Sequence, residues 1–600
     1  MSVATADYIV FGIMLVASVL LAVYSRLSTP KAAASDKQSF SFATGTVSSS
    51  AVLFSIARTG IGIRAIIGFP SEFYYHGVGM WLTMGGVMIS FLLIDLIFMP
   101  VYFAMPTTSV YEYLELRFQS GLIRRLTSLL YVVRSCLMLG VTTLTPCVAI
   151  QAVLPVPLWA SIVAVSILGI LFTTFGGMRG VILNDALQGG ALILCTVVIL
   201  YKATVQVPGG FLGTFKIAAE QGRLELFNFD LDPTIRLTTI SAIVGQIFIS
   251  TSVYGCQQAF AQRYRSLPNR KAVVRVILLA IPVVGFLESL TWTAGVAIYA
   301  FYAYCDPLSA GFIKSIDGLV PYFVKNEFAA VPGLLGFFFG TLFNGSFGIT
   351  VAILNSVATV TWEDFLSKIK YVQGLPENRQ LLTIRLIGVI YAIGIMFIAI
   401  AVSMLPGLVE SSLIISSTMS GPLLGVFLLA LLFPFANKYG AISGLAASLI
   451  WAVSLTAGRL IISKGQTTLL PLSMDRCPAN QTFSVTEISS KYNFGPPPKA
   501  PLDWTYLFSI SFIYYSMMGC IICVSIGLIV SYFTASARDC YPASLVHPMA
   551  IRMSNLLPGR PRKYLADTDF GKGKANLNGS RRSIRTISLS VDEHEYITRF

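Results

Sequence analysis

The chain has 600 residues, of which 55% are hydrophobic and only 12% charged, with a mean hydropathy of +0.73 and a formal net charge of +14. A water-soluble domain carries about 25% charged residues, so this chain has too little polar surface for a soluble globule. Its basic residues lie between apolar runs and in the C-terminal tail, which argues for orientation in a bilayer and contact with membrane lipids rather than for a nucleic-acid partner.

A spanning helix needs about 20 apolar residues. Runs of that kind predict an all-α, polytopic membrane protein with about thirteen transmembrane helices. They fall near 7–26, 47–68, 79–104, 123–151, 157–175, 181–201, 236–256, 275–303, 331–360, 381–404, 408–433, 438–462 and 508–533. The first run, Tyr8 to Tyr24, has no basic region before it and no clean small-residue cleavage site after it, so it reads as a retained helix and not as a signal peptide.

Alternate loops are basic: Arg117 to Arg125, Arg263 to Arg275 and Lys368 to Arg385. With a basic tail they place the N-terminus outside and the C-terminus in the cytoplasm of a plasma-membrane protein. The loop 463–507 is then extracellular, and Asn480-Gln481-Thr482 within it is a glycosylation acceptor pattern. Cys305 and Cys477 lie in polar loops and can pair if both are extracellular. The tail 536–600 is polar and reads as disordered. It contains a basic, serine-rich tract from Arg581 to Ser588. It ends in Thr598-Arg599-Phe600, a pattern that fits a PDZ-domain partner.

Ionisable groups inside spans are costly and mark candidate sites. Asp95 and Arg134 read as structural charges. Asp185 reads as a coupling or structural charge, and Glu288 lies deep in span eight. Arg58 and Arg64 flank Gly60 and Gly62 in span two, and glycine weakens a helix by about 1 kcal/mol relative to alanine. A helix broken in the membrane frees carbonyls and amides for ions or substrate, although close helix packing uses glycines too. A second small and hydroxylic run, Gly345-Ser346-Phe347-Gly348-Ile349-Thr350, leads to Asn355-Ser356 in span nine. No cluster resembles a metal centre or an enzyme's catalytic constellation.

At these residues the chain resembles the sodium/solute symporter family, closest to the subgroup of sodium-coupled monocarboxylate, multivitamin and iodide transporters. The stretches that carry the resemblance are Gly68 to Tyr74, Thr108 to Phe118, Gly176 to Ile182 leading to Asp185, Tyr254-Gly255 through Tyr264, Asn355-Ser356 through Asp364, and Gly421 to Gly425 through Asn437. They occur in family order across roughly residues 7–535. The resemblance implies a leucine-transporter-like inverted 5+5 helix repeat inside a transmembrane domain of residues 1–535. Repeat one covers about 47–201 and repeat two about 236–433.

It also implies secondary active transport of a small organic anion such as a monocarboxylate, with Na+ as coupling ion and no other cofactor. Substrate would meet Gly60, Gly62 and Arg64 of span two and Ser250, Thr251 and Tyr254 of span seven. The family's sodium site joins span two to span nine. Its positions fall here on Ser55, Arg58, Gly345, Gly348 and Ile349, so the expected hydroxyls are missing and a guanidinium adjoins the ion. At 4 Å and an effective dielectric near 20, that repulsion is about 4 kcal/mol. Two readings stay open. Either Arg58 replaces sodium, which suits a sodium-independent carrier or a non-transporting receptor or regulatory subunit, or Ser346 and Thr350 supply the oxygens in its place.

Overall fold

In hydrocarbon no water is present to satisfy backbone N–H and C=O groups, so a chain of this composition folds into helices that close their hydrogen bonds internally. The computed structural model describes residues 3–27, 47–62, 64–102, 109–153, 156–175, 178–370, 372, 374–404, 407–463, 467–477, 492–494, 503, 505–534 and 543–551. Asn480 and Thr598-Arg599-Phe600 lie outside these residues, and so does the side chain of Arg64.

The first helices are α1 (Val3–Leu27), α2 (Ser49–Ile61), α3 (Arg64–His76), α4 (Thr83–Leu93), α5 (Val110–Phe118), α6 (Gly121–Val153), α7 (Leu158–Phe175), α8 (Met178–Val205) and α9 (Gly210–Glu220). There follow α10 (Gln246–Cys256), α11 (Gln258–Arg265), α12 (Arg270–Tyr302), α13 (Leu319–Phe328), α14 (Leu334–Asp364), α15 (Glu377–Val402), α16 (Leu408–Leu432), α17 (Lys438–Ser463) and α18 (Tyr515–Phe533). Thr467–Leu469 and Tyr492–Phe494 pair as two short parallel strands.

Among the described residues, 9 helices are long and apolar enough to cross a membrane, and the bent pair α2–α3 makes a tenth. Three shorter apolar helices, Thr5–Leu21, Leu158–Ile167 and Ser241–Cys256, lie where the first, fifth and seventh spans are expected. The short helices α5, α9, α11 and α13 have no counterpart among the thirteen predicted spans, since none has the apolar length on which that reading relied.

Burial ranks the helices. The α14 and α16 spans are each 83% buried, whereas the α15 span is 33% buried and turns Ile390 and Phe397 outward. The first two therefore form the centre, and α15 meets lipid. The α16–α17–α18 packing depends on small residues. A Cβ on Gly421 would run into the backbone of Ser516, and one on Gly444 into that of Cys523.

Two predicted features are corrected. Arg117 and Arg263, read as loop charges, are fully buried on α5 and α11. Arg117 donates from Nε to Ala430 O (3.0 Å) and from Nη2 to Phe433 O (3.0 Å) and Pro434 O (3.1 Å), capping the carbonyl end of α16. Residues 543–551, within the stretch expected to be disordered, pack on the bundle. Tyr113 Oη donates to Leu545 O at 2.9 Å, and His547 N donates to Leu431 O at 2.9 Å. Cys305 and Cys477 form a disulfide.

Candidate functional site

Two helix breaks face the centre. Ser48 caps the start of α2, its hydroxyl accepting from Ala51 N at 3.3 Å. The helix ends at Gly62, whose N–H bonds to Arg58 O at 2.9 Å with φ of 76°, a conformation open to glycine and strained for other residues. From there α3 departs at a bend of 43°. The second break lies at buried Gln257, extended with φ −96° and ψ 135°, between α10 and α11. A helix ending inside the bundle presents carbonyls without intrahelical partners, a site of partial negative charge.

The last two turns of α2 carry Ser55, Arg58 and Thr59, and all three meet Asp185 of α8. Ser55 Oγ donates to Asp185 Oδ2 at 2.7 Å, and Thr59 Oγ1 donates to the same oxygen at 3.3 Å. Arg263 Nη2 reaches it at 3.0 Å and also donates to Thr59 Oγ1 at 2.8 Å, while Arg263 Nε donates to Ser55 Oγ at 2.8 Å. Arg58 lies on the other side of the carboxylate. Its Nη1 is 3.6 Å from Asp185 Oδ1, and its Nη2 donates to Gly345 O at 2.7 Å. Side-chain exposure is 2% for Arg58 and 0% for Asp185 and Arg263. Gly348 lies beside them, where a Cβ would come within 2.9 Å of Asn184 Nδ2 and 3.3 Å of Asp185 Oδ1.

The expected residues Ser55, Arg58, Asp185, Gly345 and Gly348 are thus brought together. Ile349 turns instead to an adjacent cavity. Arg263 joins the cluster although its sequence context suggested a solvated loop. Its position within Gln262-Arg263-Tyr264, one of the stretches that carry the family resemblance, was the available signal.

The cavity, of about 120 Å³, opens between the two breaks and is lined by Gly60, Gly62, Arg134, Ser250, Tyr254 and Glu288 among others. Space for a water needs about 10–15 Å³ on this measure, so a solute of several heavy atoms fits. The Tyr254 hydroxyl packs against Gly60 where a Cβ would stand, and the Tyr254 ring lies 4.5 Å from that of Phe91 and 4.8 Å from that of Phe260. Gln246 Nε2 donates to Ser250 Oγ at 2.8 Å. Arg134 Nη2 donates to Ser416 Oγ at 3.2 Å. Arg134, read from sequence as structural, and Glu288 therefore stand on the wall, whereas Thr251 is buried away from it.

Two further charge clusters flank the centre. In the first, Glu72 of α3 meets Arg236 and His76, and Arg236 and Arg459 both reach Glu410, at 3.7 Å and 3.3 Å. Close by, Asp317 Oδ2 accepts from Leu408 N at 2.8 Å. Burial pushes the Asp317 carboxyl up to about 7, the Leu408 N–H opposes this, and the Glu72 charge adds to it. In the second, Asp364 of α14 accepts from Arg124 Nε (2.6 Å) and Ser109 Oγ (3.0 Å), and Glu115 accepts from Arg124 Nη1 (2.7 Å) and Lys368 Nζ (2.9 Å). This second cluster ties together two of the stretches that carry the resemblance.

Residues 40–447 match the sodium:solute symporter family. Human sodium-coupled monocarboxylate transporter 2 is 30% identical over 594 residues, covering 96% of this chain and 93% of that protein. The human sodium/iodide cotransporter is 28% identical over 589 residues, covering 95% and 90%. Among solved structures, a Na+-coupled sialic acid symporter in a substrate-bound, outward-open state shares the fold with a TM-score of 0.69, covering 88% of this chain and 98% of that one at 20% identity. The all-α, polytopic fold is of the leucine-transporter type. The chain belongs to the sodium:solute symporter family, whose members are membrane transporters and not enzymes, with Na+ as the family's coupling ion.

Proposed function

We propose that the protein is a secondary active transporter that carries a small monocarboxylate across the plasma membrane. The observation that carries this reading is Arg134 on the wall of the central cavity, between the two helix breaks. A guanidinium there offers a carboxylate paired, charge-assisted hydrogen bonds. Glu288 on the same cavity offers an acceptor for a hydroxyl, which suits a lactate-like 2-hydroxy acid. The breaks at Gly62 and Gln257 suit alternating access, with repeat one (about 47–201) moving against repeat two (about 236–433) around the bound solute. Relatives named as sodium-coupled monocarboxylate transporters support the same substrate class.

The Cys305–Cys477 disulfide supports an oxidising, extracellular side for both segments, and with it an outside N-terminus and a cytoplasmic tail. The position of Arg58 at Asp185 favours a second reading, a sodium-independent carrier or a non-transporting receptor on this fold.

Uptake by expressing cells of lactate, a short-chain carboxylate, a sugar, a vitamin and iodide separates these readings. The carrier takes up the monocarboxylates. Loss of a hydrogen bond to a charged group costs about 1.5–3 kcal/mol, so Arg134→Gln lowers lactate uptake by about ten- to a hundredfold. Uptake of the sugar or iodide without any monocarboxylate ends the substrate assignment, and no uptake of any of them leaves the receptor reading.

A further inference from the structure

Two electronegative groups meet at one buried point beside α2: the Gly345 carbonyl of α14 and Oδ1 of Asp185 on α8. A half-helix C-terminus with freed carbonyls is the kind of place where membrane carriers hold a coupling cation. Here the last turn of such a half-helix carries a cation of its own. Arg58 stands in the last turn of α2, with Nη2 2.7 Å from Gly345 O and Nη1 3.6 Å from Asp185 Oδ1.

The oxygens that a sodium ion would need are engaged elsewhere. Ser55 and Thr59 hydroxyls accept from Arg263 and donate to Asp185. Ser346 Oγ donates to Thr142 O at 2.9 Å, and Ser346 and Thr350 line a separate small cavity with Thr143, Val165 and Ser166. Positions 345, 348 and 349 bring no side-chain oxygen. The formal charge of the cluster is already positive, with two guanidiniums against one carboxylate. One unit charge at 4 Å and an effective dielectric near 20 weakens the binding of a second cation by on the order of a thousandfold.

We infer that the Arg58 guanidinium is the resident cation of the cleft between α2 and α14, and that this cleft does not take sodium. The α2 half-helix is tied to α14 and α8 by a tether that does not dissociate. Any sodium that drives transport acts at another place. The inference deepens the transport reading and rests on it for its consequence, but its test needs no substrate.

The test is binding of radioactive sodium to the purified full-length protein, counted per chain, with melting in sodium chloride compared with choline chloride. Arg58→Ala combined with Gly348→Ser removes the tethered charge and supplies a hydroxyl. The new Cβ presses on the end of the flexible Asn184 side chain, 2.9 Å away, and lies 3.3 Å from Asp185 Oδ1, which the loss of the Arg58 side chain leaves room to shift. This double variant is expected to bind one more sodium than the wild type, and sodium then raises its melting midpoint by about a few degrees. Arg58→Lys keeps a cation and is expected to match the wild-type count. If the alanine variant cannot be purified, Arg58→Met with Gly348→Ser keeps the packing volume without the charge. Equal sodium counts in wild type and double variant overturn the inference, as does a wild-type sodium that is lost when Arg58 is replaced. Failure of lactate uptake with the sodium result intact would reject the substrate and leave the resident cation standing.

Discussion

The clusters around Asp185 and around Glu410 use the same residue types to opposite effect. Around Glu410 two carboxylates, Glu72 and Glu410, face two guanidiniums, Arg236 and Arg459, whose side chains are 17% and 19% exposed. Around Asp185 one carboxylate faces two guanidiniums, and exposure is 0–2%. Two carboxylates and partial access to water let the first cluster lose a member and rearrange. The second has no spare carboxylate and is closed to solvent, so its excess positive charge meets neutral acceptors: Gly345 O for Arg58, and Ala259 O with the Ser55 and Thr59 hydroxyls for Arg263. Isolated charges in such surroundings are strongly destabilising. The inner cluster is therefore built to hold a fixed cation, whereas the outer one joins α3, α16 and α17 through exchangeable pairs.

The largest effect is expected from Asp185→Asn. It leaves Arg58 and Arg263 facing neutral oxygens only, and breaking a buried pair costs about 3–5 kcal/mol. Purified protein should melt well below wild type, or fail to accumulate at the membrane. Wild-type melting would mean that the carboxylate does not hold the two arginines. Glu410→Gln sharpens the contrast from the other side. Arg236 keeps Glu72, so the loss should be smaller, about 1–2 kcal/mol by the cost of one weakened charged hydrogen bond. A loss as large as that of Asp185→Asn would make the two clusters equivalent.

The smallest effect concerns Asp317, beside the outer cluster and outside the spans. It is faced by Glu72 of α3 and Tyr492 of the second strand, and it accepts the Leu408 N–H. Its carboxyl is pushed above its ordinary value, to about 7. The folded protein then holds this proton more tightly than the unfolded chain. The resulting stability is full below the ordinary carboxylate range and is lost as pH rises through about 7. Melting midpoints should fall between mildly acidic and mildly alkaline buffer, and Asp317→Asn should flatten that slope. An unchanged slope in the variant would assign the titration to another group.

Some of this was legible in the sequence. Gly345 and Gly348 lie three residues apart on one helix face, and an arginine at the glycine-rich break needed room of that kind. The approach of Arg58 to Gly345 follows from that pattern together with the family resemblance, whereas Asp185, read only as a coupling or structural charge, is placed beside Arg58 by the packing of α8 on α2. Arg263 and Arg117 were misread because a charge between apolar runs looks solvated, and a carboxylate or helix end distant in sequence leaves no local trace. Asp185 lies 78 positions from Arg263, and Ala430 lies 313 from Arg117. Arg134 sits in an unbroken apolar helix, so only the meeting of α6 with both breaks identifies it as a cavity residue. The same applies to Ser346 and Thr350, whose hydroxyls suit an ion by type but face the wrong side of α14.

Binding of a small monocarboxylate at Arg134 between the two breaks, and its passage across the membrane, can be measured with purified protein in proteoliposomes. The measurement is uptake of radiolabelled lactate against a trapped pool of unlabelled lactate, wild type beside Arg134→Gln. Wild type should exchange lactate rapidly, and the variant should lose about ten- to a hundredfold of that rate. Equal exchange by the two proteins, or none by a correctly folded wild type, would contradict this assignment.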